Sequence, residues 1–144
     1  MDEDKIQARR REQDEEATRR RASILGLQYL DGREFEETLP LLKGVLTIEE
    51  MYKGRLVPLA FNEEDQSYRF GVTSQTSESL MKKMQSQYVE NGKRIFFFLI
   101  SGSAFRSIML RFDPPKKVIY DNIEIAKEGD SDTLAQVTQT LASV

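Results

Sequence analysis

Few segments of this 144-residue chain bring together side chains that could do chemistry. Gly92-Lys93-Arg94 carries the end of a phosphate-binding loop, where backbone amides cradle a phosphate and a lysine reaches its terminal oxygen. The upstream glycine and the hydroxyl residue of that motif are missing, so the spacing reads as a helix stop before a strand. Ser101-Gly102-Ser103 leads into a helix start, which can attract an anion but more commonly only caps itself. Glu63-Glu64-Asp65 is a carboxylate cluster able to attract a hard cation, yet it lacks calcium-loop spacing and reads as a solvated turn. Met81 and Met84 read as core filler rather than a binding groove. Ser131-Asp132-Thr133 has no base near it. Histidine, cysteine and tryptophan are absent altogether. That removes Ser-His-Asp catalysis, a cysteine nucleophile, a thiolate zinc site and disulfides. A metal could be held only by oxygen ligands. The expectation is a non-enzymatic segment with no catalytic residues, no metal and no cofactor.

Charge is distributed unevenly. Met1 to Arg21 holds seven acidic and seven basic residues, Ala22 to Phe112 eleven of each, and Asp113 to Val144 six acidic and three basic, so the net charge of −3 sits in the tail. Neither of the first two segments has a strong net field for nucleic acid, and interleaved carboxylates offset the arginines. The longest apolar run is Ile95 to Ile100. That is too short for a membrane span, and the charged start lacks a signal peptide's apolar stretch. A cytoplasmic location without membrane insertion is expected.

The elements that would position these residues follow from local pattern. Residues 1–21 contain no Gly or Pro and many good helix formers, with Glu15/Arg19 and Glu16/Arg20 at i,i+4 spacing. They predict an exposed charged helical arm, fraying at its start. Its clusters Arg9–Arg11 and Arg19–Arg21 lie about 280° apart round a helix and form no single stripe. The arm reads either as a solvated face or as a contact for an acidic partner, and Arg19, Arg20 and Arg21, with the turn residues Glu63, Glu64 and Asp65, are the candidate partner-binding residues. Gly26 predicts a helix stop after Leu25. Tyr29-Leu30 is a short extended piece. Thr47 with Glu50 makes a capping box for a helix from Ile48 to about Lys53. Arg55 to Phe61 is a strand whose Pro58 implies an edge or a bulge. Tyr68, Phe70 and Val72 alternate as the second strand of a hairpin. Thr76 or Ser77 caps a helix to Asn91, with Leu80, Met84 and Tyr88 facing a core. Arg94 to Ile100 is a continuous apolar strand expected to be covered on both faces. Ser103 is expected to cap a last core helix with Phe105, Ile108, Met109 and Phe112 on one side.

Together these predict an α/β fold. A small three-stranded mixed sheet (β-β-α-β-α core) is flanked by helices, with the strands around the helix paired in parallel. The expected organisation is a charged arm over 1–21, a domain over 22–112, and an acidic linker with a terminal helix over 113–144. In the last part, the loose alternation of Val118 to Ile125 reads as extended, and Ser131 or Asp132 would cap a helix that reads as cut at Val144.

The succession Leu25-Gly26, Tyr29 and Asp31, then Val57-Pro58-Leu59, Phe70 to Thr73, Gly92-Lys93, and Ser101 with Phe105, Ile108, Met109 and Phe112 resembles the amino-terminal domain of the GspE/PilB family. These are the ATPases of type II secretion and type IV pilus assembly, and the resemblance covers about Ala22 to Phe112. It implies a docking domain, peripheral to the inner membrane, that links the motor region of the same chain to platform or adaptor proteins. The motor's phosphate loop would lie further along the parent chain. The alternative it implies is a regulatory domain for a nucleotide or second messenger such as cyclic di-GMP. Against that, Arg55-Leu56 is followed by Val57 rather than the glycine of the cyclic di-GMP motif, and the sequence has no second copy of it. Separately, Thr73 to Thr76 stand where the family has Asp-Pro after the second strand, a departure at that loop.

Overall fold

The computed structural model describes residues 3–116. The expectations for Val118 to Ile125, for Ser131-Asp132-Thr133 and for a final helix lie outside them. Helix α1 (Glu3–Leu25) leads to β1 (Gln28–Tyr29), a 3-10 turn (Gly32–Glu34), α2 (Ile48–Gly54), β2 (Leu56–Asn62), β3 (Ser67–Val72), α3 (Glu78–Glu90), β4 (Arg94–Leu99) and α4 (Gly102–Phe112).

The sheet has four strands in the order β1-β4-β3-β2. β2 and β3 form the expected antiparallel hairpin, and β3 and β4 run parallel. Where three strands were expected, a fourth is present: Gln28 and Tyr29 pair in parallel with Phe98 and Leu99. A two-residue strand has no periodicity to detect, and only the pairing with β4 makes it one. The Pro58 expectation holds twice over. β2 is an edge strand, and its register with β3 shifts between Pro58 and Ala60.

Helix limits follow local chemistry. α1 ends where Gly26 takes φ +73, and the Leu27 amide returns to the Ala22 carbonyl at 3.0 Å, a Schellman closure. Thr47 and Glu50 form the capping box reciprocally. Gly54 is the last helical residue of α2, and Arg55 takes the left-handed conformation (φ 58) after it. A Cβ at Gly54 would lie 2.5 Å from Leu56 Cδ2 and 2.7 Å from Leu80 Cδ2, so the ends of these two side chains would have to shift to admit it. Ser77 caps α3. For α4 the cap is Ser101 rather than Ser103, because Ser101 Oγ accepts from the Ala104 amide. Ser103 sits inside the first turn, where its hydroxyl reaches another element.

Two apolar layers sandwich the sheet. On one face Leu56, Phe70, Val72, Ile95 and Leu99 pack with Met84 of α3 and Ala22 of α1. On the other, Val57, Leu59 and Ile100 pack with Phe105, Ile108 and Met109 of α4. Burying one such aromatic or aliphatic side chain stabilises the fold by roughly 1.5–3 kcal/mol. β4 is not covered on both faces throughout: Phe96 is 37% exposed, and the Arg94 guanidinium lies over its ring at 5.2 Å.

Candidate functional site

α1 differs most from expectation. A helix of this composition has no apolar stripe, and a solvated arm was the plain reading. Instead Glu15, Thr18 and Ala22, at i, i+3 and i+7, are buried against the domain. The helix also runs unbroken across the expected boundary at residues 21 and 22. What fastens it is polar. Glu15 is 1% exposed and accepts from Arg11 Nε (2.6 Å), the Tyr29 hydroxyl (2.5 Å) and the Ser101 hydroxyl (2.6 Å). Arg11 also holds Glu36 through both terminal nitrogens, at 3.1 and 2.7 Å. Arg111 of α4 donates to the Glu36 carbonyl at 3.0 Å. One helical turn from Arg11, Asp14 Oδ2 accepts from the Ser103 hydroxyl at 2.5 Å and the Ser103 amide at 3.2 Å. Three other segments, β1, the stretch at Glu36 and the start of α4, therefore meet on α1.

This node contains a serine, a carboxylate, a tyrosine and an arginine, so a catalytic reading must be weighed. Ser101 Oγ is committed twice, donating to Glu15 and accepting from the Ala104 amide as the α4 cap, and the residue is 1% exposed. A nucleophile needs access for its substrate, and Ser101 is enclosed by the fold. Burial, and then the hydrogen bond to Glu15, push the Tyr29 hydroxyl well above its usual range, so it remains a donor. The hydrogen bond to Glu36 raises the Arg11 guanidinium further. All these groups are matched to one another, which makes the node a structural clamp.

The expected partner-binding residues separate into two places. Arg19, Arg20 and Arg21 are exposed on the second half of α1. Arg19 does not pair with Glu15 as its spacing suggested. It pairs with Glu16 at 2.6 Å and lies over the Tyr29 ring at 5.2 Å. The expected Glu16/Arg20 pair is likewise replaced. Glu63, Glu64 and Asp65 form the exposed β2–β3 turn, closed by Asn62 Oδ1 accepting from the Glu64 amide and Asp65 Oδ1 from the Ser67 hydroxyl. This turn adjoins the start of β4, since the Arg94 amide donates to the Gln66 carbonyl. Arg19 sits over Tyr29, which pairs with Leu99 at the end of β4. About 15 Å of strand separates the two groups, so they do not form one site. No group of three or more carboxylates placed to hold a metal occurs among the described residues. Lys93 is engaged with Gln66 and with the Phe61 ring, and Gly92 (φ +74) closes α3, as the helix-stop reading requires.

Two surface features stand out on this scaffold. α1 and α4 border a groove of about 820 Å³ lined by Arg10, Arg106 and Leu110 among others. The end of α1 exposes Ile24 (84%) and Leu25 beside Arg20 and Arg21. Sequence reasoning missed Glu15, Arg11, Glu36 and Asp14. The signal was present, since residues 11, 15, 18 and 22 share a helical face. That face carries polar types, which a search for apolar periodicity passes over. Among the described residues no helix is long and apolar enough to cross a membrane. Comparison of the chain with protein-family models, with curated proteins and with solved structures finds no match.

Proposed function

We propose that this chain carries a non-catalytic docking domain of a type II secretion or type IV pilus assembly ATPase, joining the motor region of its parent chain to an inner-membrane platform or adaptor protein. The resemblance over residues 22–112 supports the reading, and the α/β arrangement follows the order of elements that resemblance implies. The observation that carries it is the clamped helix α1. A long charged helix held by buried ion pairs is a rigid support, and it presents Arg20, Arg21, Ile24 and Leu25 outward. Arginine beside exposed aliphatic side chains suits an acidic amphipathic partner segment. In this reading the domain lies in the cytoplasm, reaches the membrane only through its partner, and leaves ATP hydrolysis to a later part of the parent chain.

The test is capture of the cognate platform or adaptor protein's cytoplasmic region by the 144-residue chain. Arg20→Glu together with Ile24→Asp weakens capture about tenfold or more, the scale of one lost interface anchor. Reversing Glu63 and Glu64 to lysine, at the far end of the sheet, leaves it within about twofold, well below one anchor's worth. Capture unaffected by the helix variants rules out this surface as the contact.

A further inference from the structure

Three arginines from three separate elements converge on one cleft. Arg21 of α1, Arg55 after α2 and Arg106 of α4 line a cavity of about 200 Å³ with Thr73, Ser74 and Gln75 of the β3–α3 loop. Among the described residues none of the three arginines forms an ion pair. Arg55 Nε donates to Gln75 Oε1 at 2.9 Å, and its guanidinium rests over the Phe105 ring at 5.1 Å. Arg106 Nη2 lies 3.4 Å from Ser103 Oγ, and its Nη1 lies 3.4 Å from where a Cβ on Gly102 would stand. That guanidinium is therefore folded back over the first residue of α4. The one carboxylate in the lining, Asp14, is already occupied by the Ser103 hydroxyl and amide. Three guanidinium charges against the single Asp14 carboxylate leave the lining with an excess of positive charge, and an anion between the arginines offsets it.

The topology reaches the same place independently. β4 lies between two parallel neighbours, β1 and β3. At the carboxyl end of β3 the chain leaves for α3 on one face of the sheet, and at the carboxyl end of β4 it leaves for α4 on the other. Adjacent parallel strands whose connections diverge to opposite faces open a crevice between them, and open α/β sheets bind ligands at that point. The cleft lies there, lined by Thr73 to Gln75 from one connection and by Ile100, Gly102 and Arg106 from the other. Planar guanidinium groups match the tetrahedral oxygens of phosphate, and the volume suits one phosphoryl group rather than a whole dinucleotide.

We propose that this cleft binds the phosphate monoester of a small phosphorylated ligand. This goes beyond the docking reading and does not depend on it. The 144-residue chain, labelled for amide NMR, is titrated with inorganic phosphate and with AMP at low ionic strength. The expected result is a saturable shift of the Ser74, Gln75 and Gly102 amides with both, with AMP binding at least as tightly as free phosphate. Arg55→Gln and Arg106→Gln each weaken binding about tenfold, the loss of one charge-assisted contact. Should Arg55→Gln disturb the fold, Arg106→Gln decides, because that side chain is exposed and ties no elements together. Arg69→Gln, on the exposed side of β3, leaves the affinity unchanged. Cyclic di-GMP, a diester with no dianionic phosphate, gives weaker shifts than AMP. No saturable shift up to about 1 mM phosphate, shifts confined to Arg9–Arg11, tighter binding of cyclic di-GMP than of AMP, or an undiminished affinity in Arg106→Gln overturns the proposal.

Discussion

Glu15 concentrates more structural consequence than any other charged residue here. Its carboxylate is out of water and has three donors from α1, β1 and the cap of α4. A buried charge pair adds little over a well-packed apolar substitute, but breaking it by removing one partner is expensive. Glu15→Ala is therefore expected to destabilise the fold by about 3 kcal/mol, read from the midpoint of urea unfolding. A loss below about 1 kcal/mol, the worth of an exposed pair, would mean that the node is solvated. Tyr29 offers a pH readout of the same contact. Its hydroxyl is raised above its ordinary value of 10.0 by burial and by the bond to Glu15, so the folded state keeps a proton the unfolded chain gives up. The resulting stabilisation is complete below that ordinary value and declines as pH rises past it. Tyr29→Phe should flatten the alkaline fall in stability relative to the parent, measured as urea midpoints across that range. An unchanged slope counts against the Tyr29–Glu15 contact.

Among the elements, the 3-10 turn is the least legible and among the least replaceable. Gly32 has ordinary backbone angles, so conformational freedom is not why it is glycine. A Cβ at that position would stand 2.2 Å from Ala104 Cβ and 3.3 Å from Ala104 Cα. Two elements distant in sequence thus touch backbone to backbone, and the obstructing atoms have no rotamer to change. Gly32→Ala should cost about 2–3 kcal/mol by overpacking, seen as a lower thermal midpoint. A neutral substitution would show that α4 can move off the turn. The helices and the hairpin were legible because capping boxes, glycine stops and period-two alternation are local signals. The α4 cap was placed two residues late because Ser101 and Ser103 are equally plausible caps in sequence. Glu15 reaching Ser101 and Asp14 reaching Ser103 assign each its role.

For the molecule as a whole, the decisive point is that α1 belongs to the fold. Deleting residues 1–21 strips the Tyr29 and Ser101 hydroxyls and the Glu36 carboxylate of their partners and uncovers the face of Ala22. A detachable arm would leave the unfolding midpoint unchanged. The clamped helix predicts a loss of about 3–5 kcal/mol, a large part of the 5–15 kcal/mol typical of a domain, with a broadened or absent cooperative transition by circular dichroism. The candidate contacts fared unevenly for the same reason. Arg19–Arg21 and Glu63–Asp65 were picked as charge runs, and the sheet sets them at opposite ends. The sequence by itself determined the periods of α3 and α4, the hairpin, a proline that requires either an edge strand or a bulge, and the absence of thiol and imidazole side chains, because each is written in residue type or short-range spacing. Only the tertiary structure decided that a helix without an apolar stripe is packed, that Gln28 and Tyr29 form a strand, and that Arg21, Arg55 and Arg106 line one cleft. These are pairings across tens of residues whose partners are chosen by the fold; the helical spacing of residues 11, 15, 18 and 22 marks a shared face but not what that face meets.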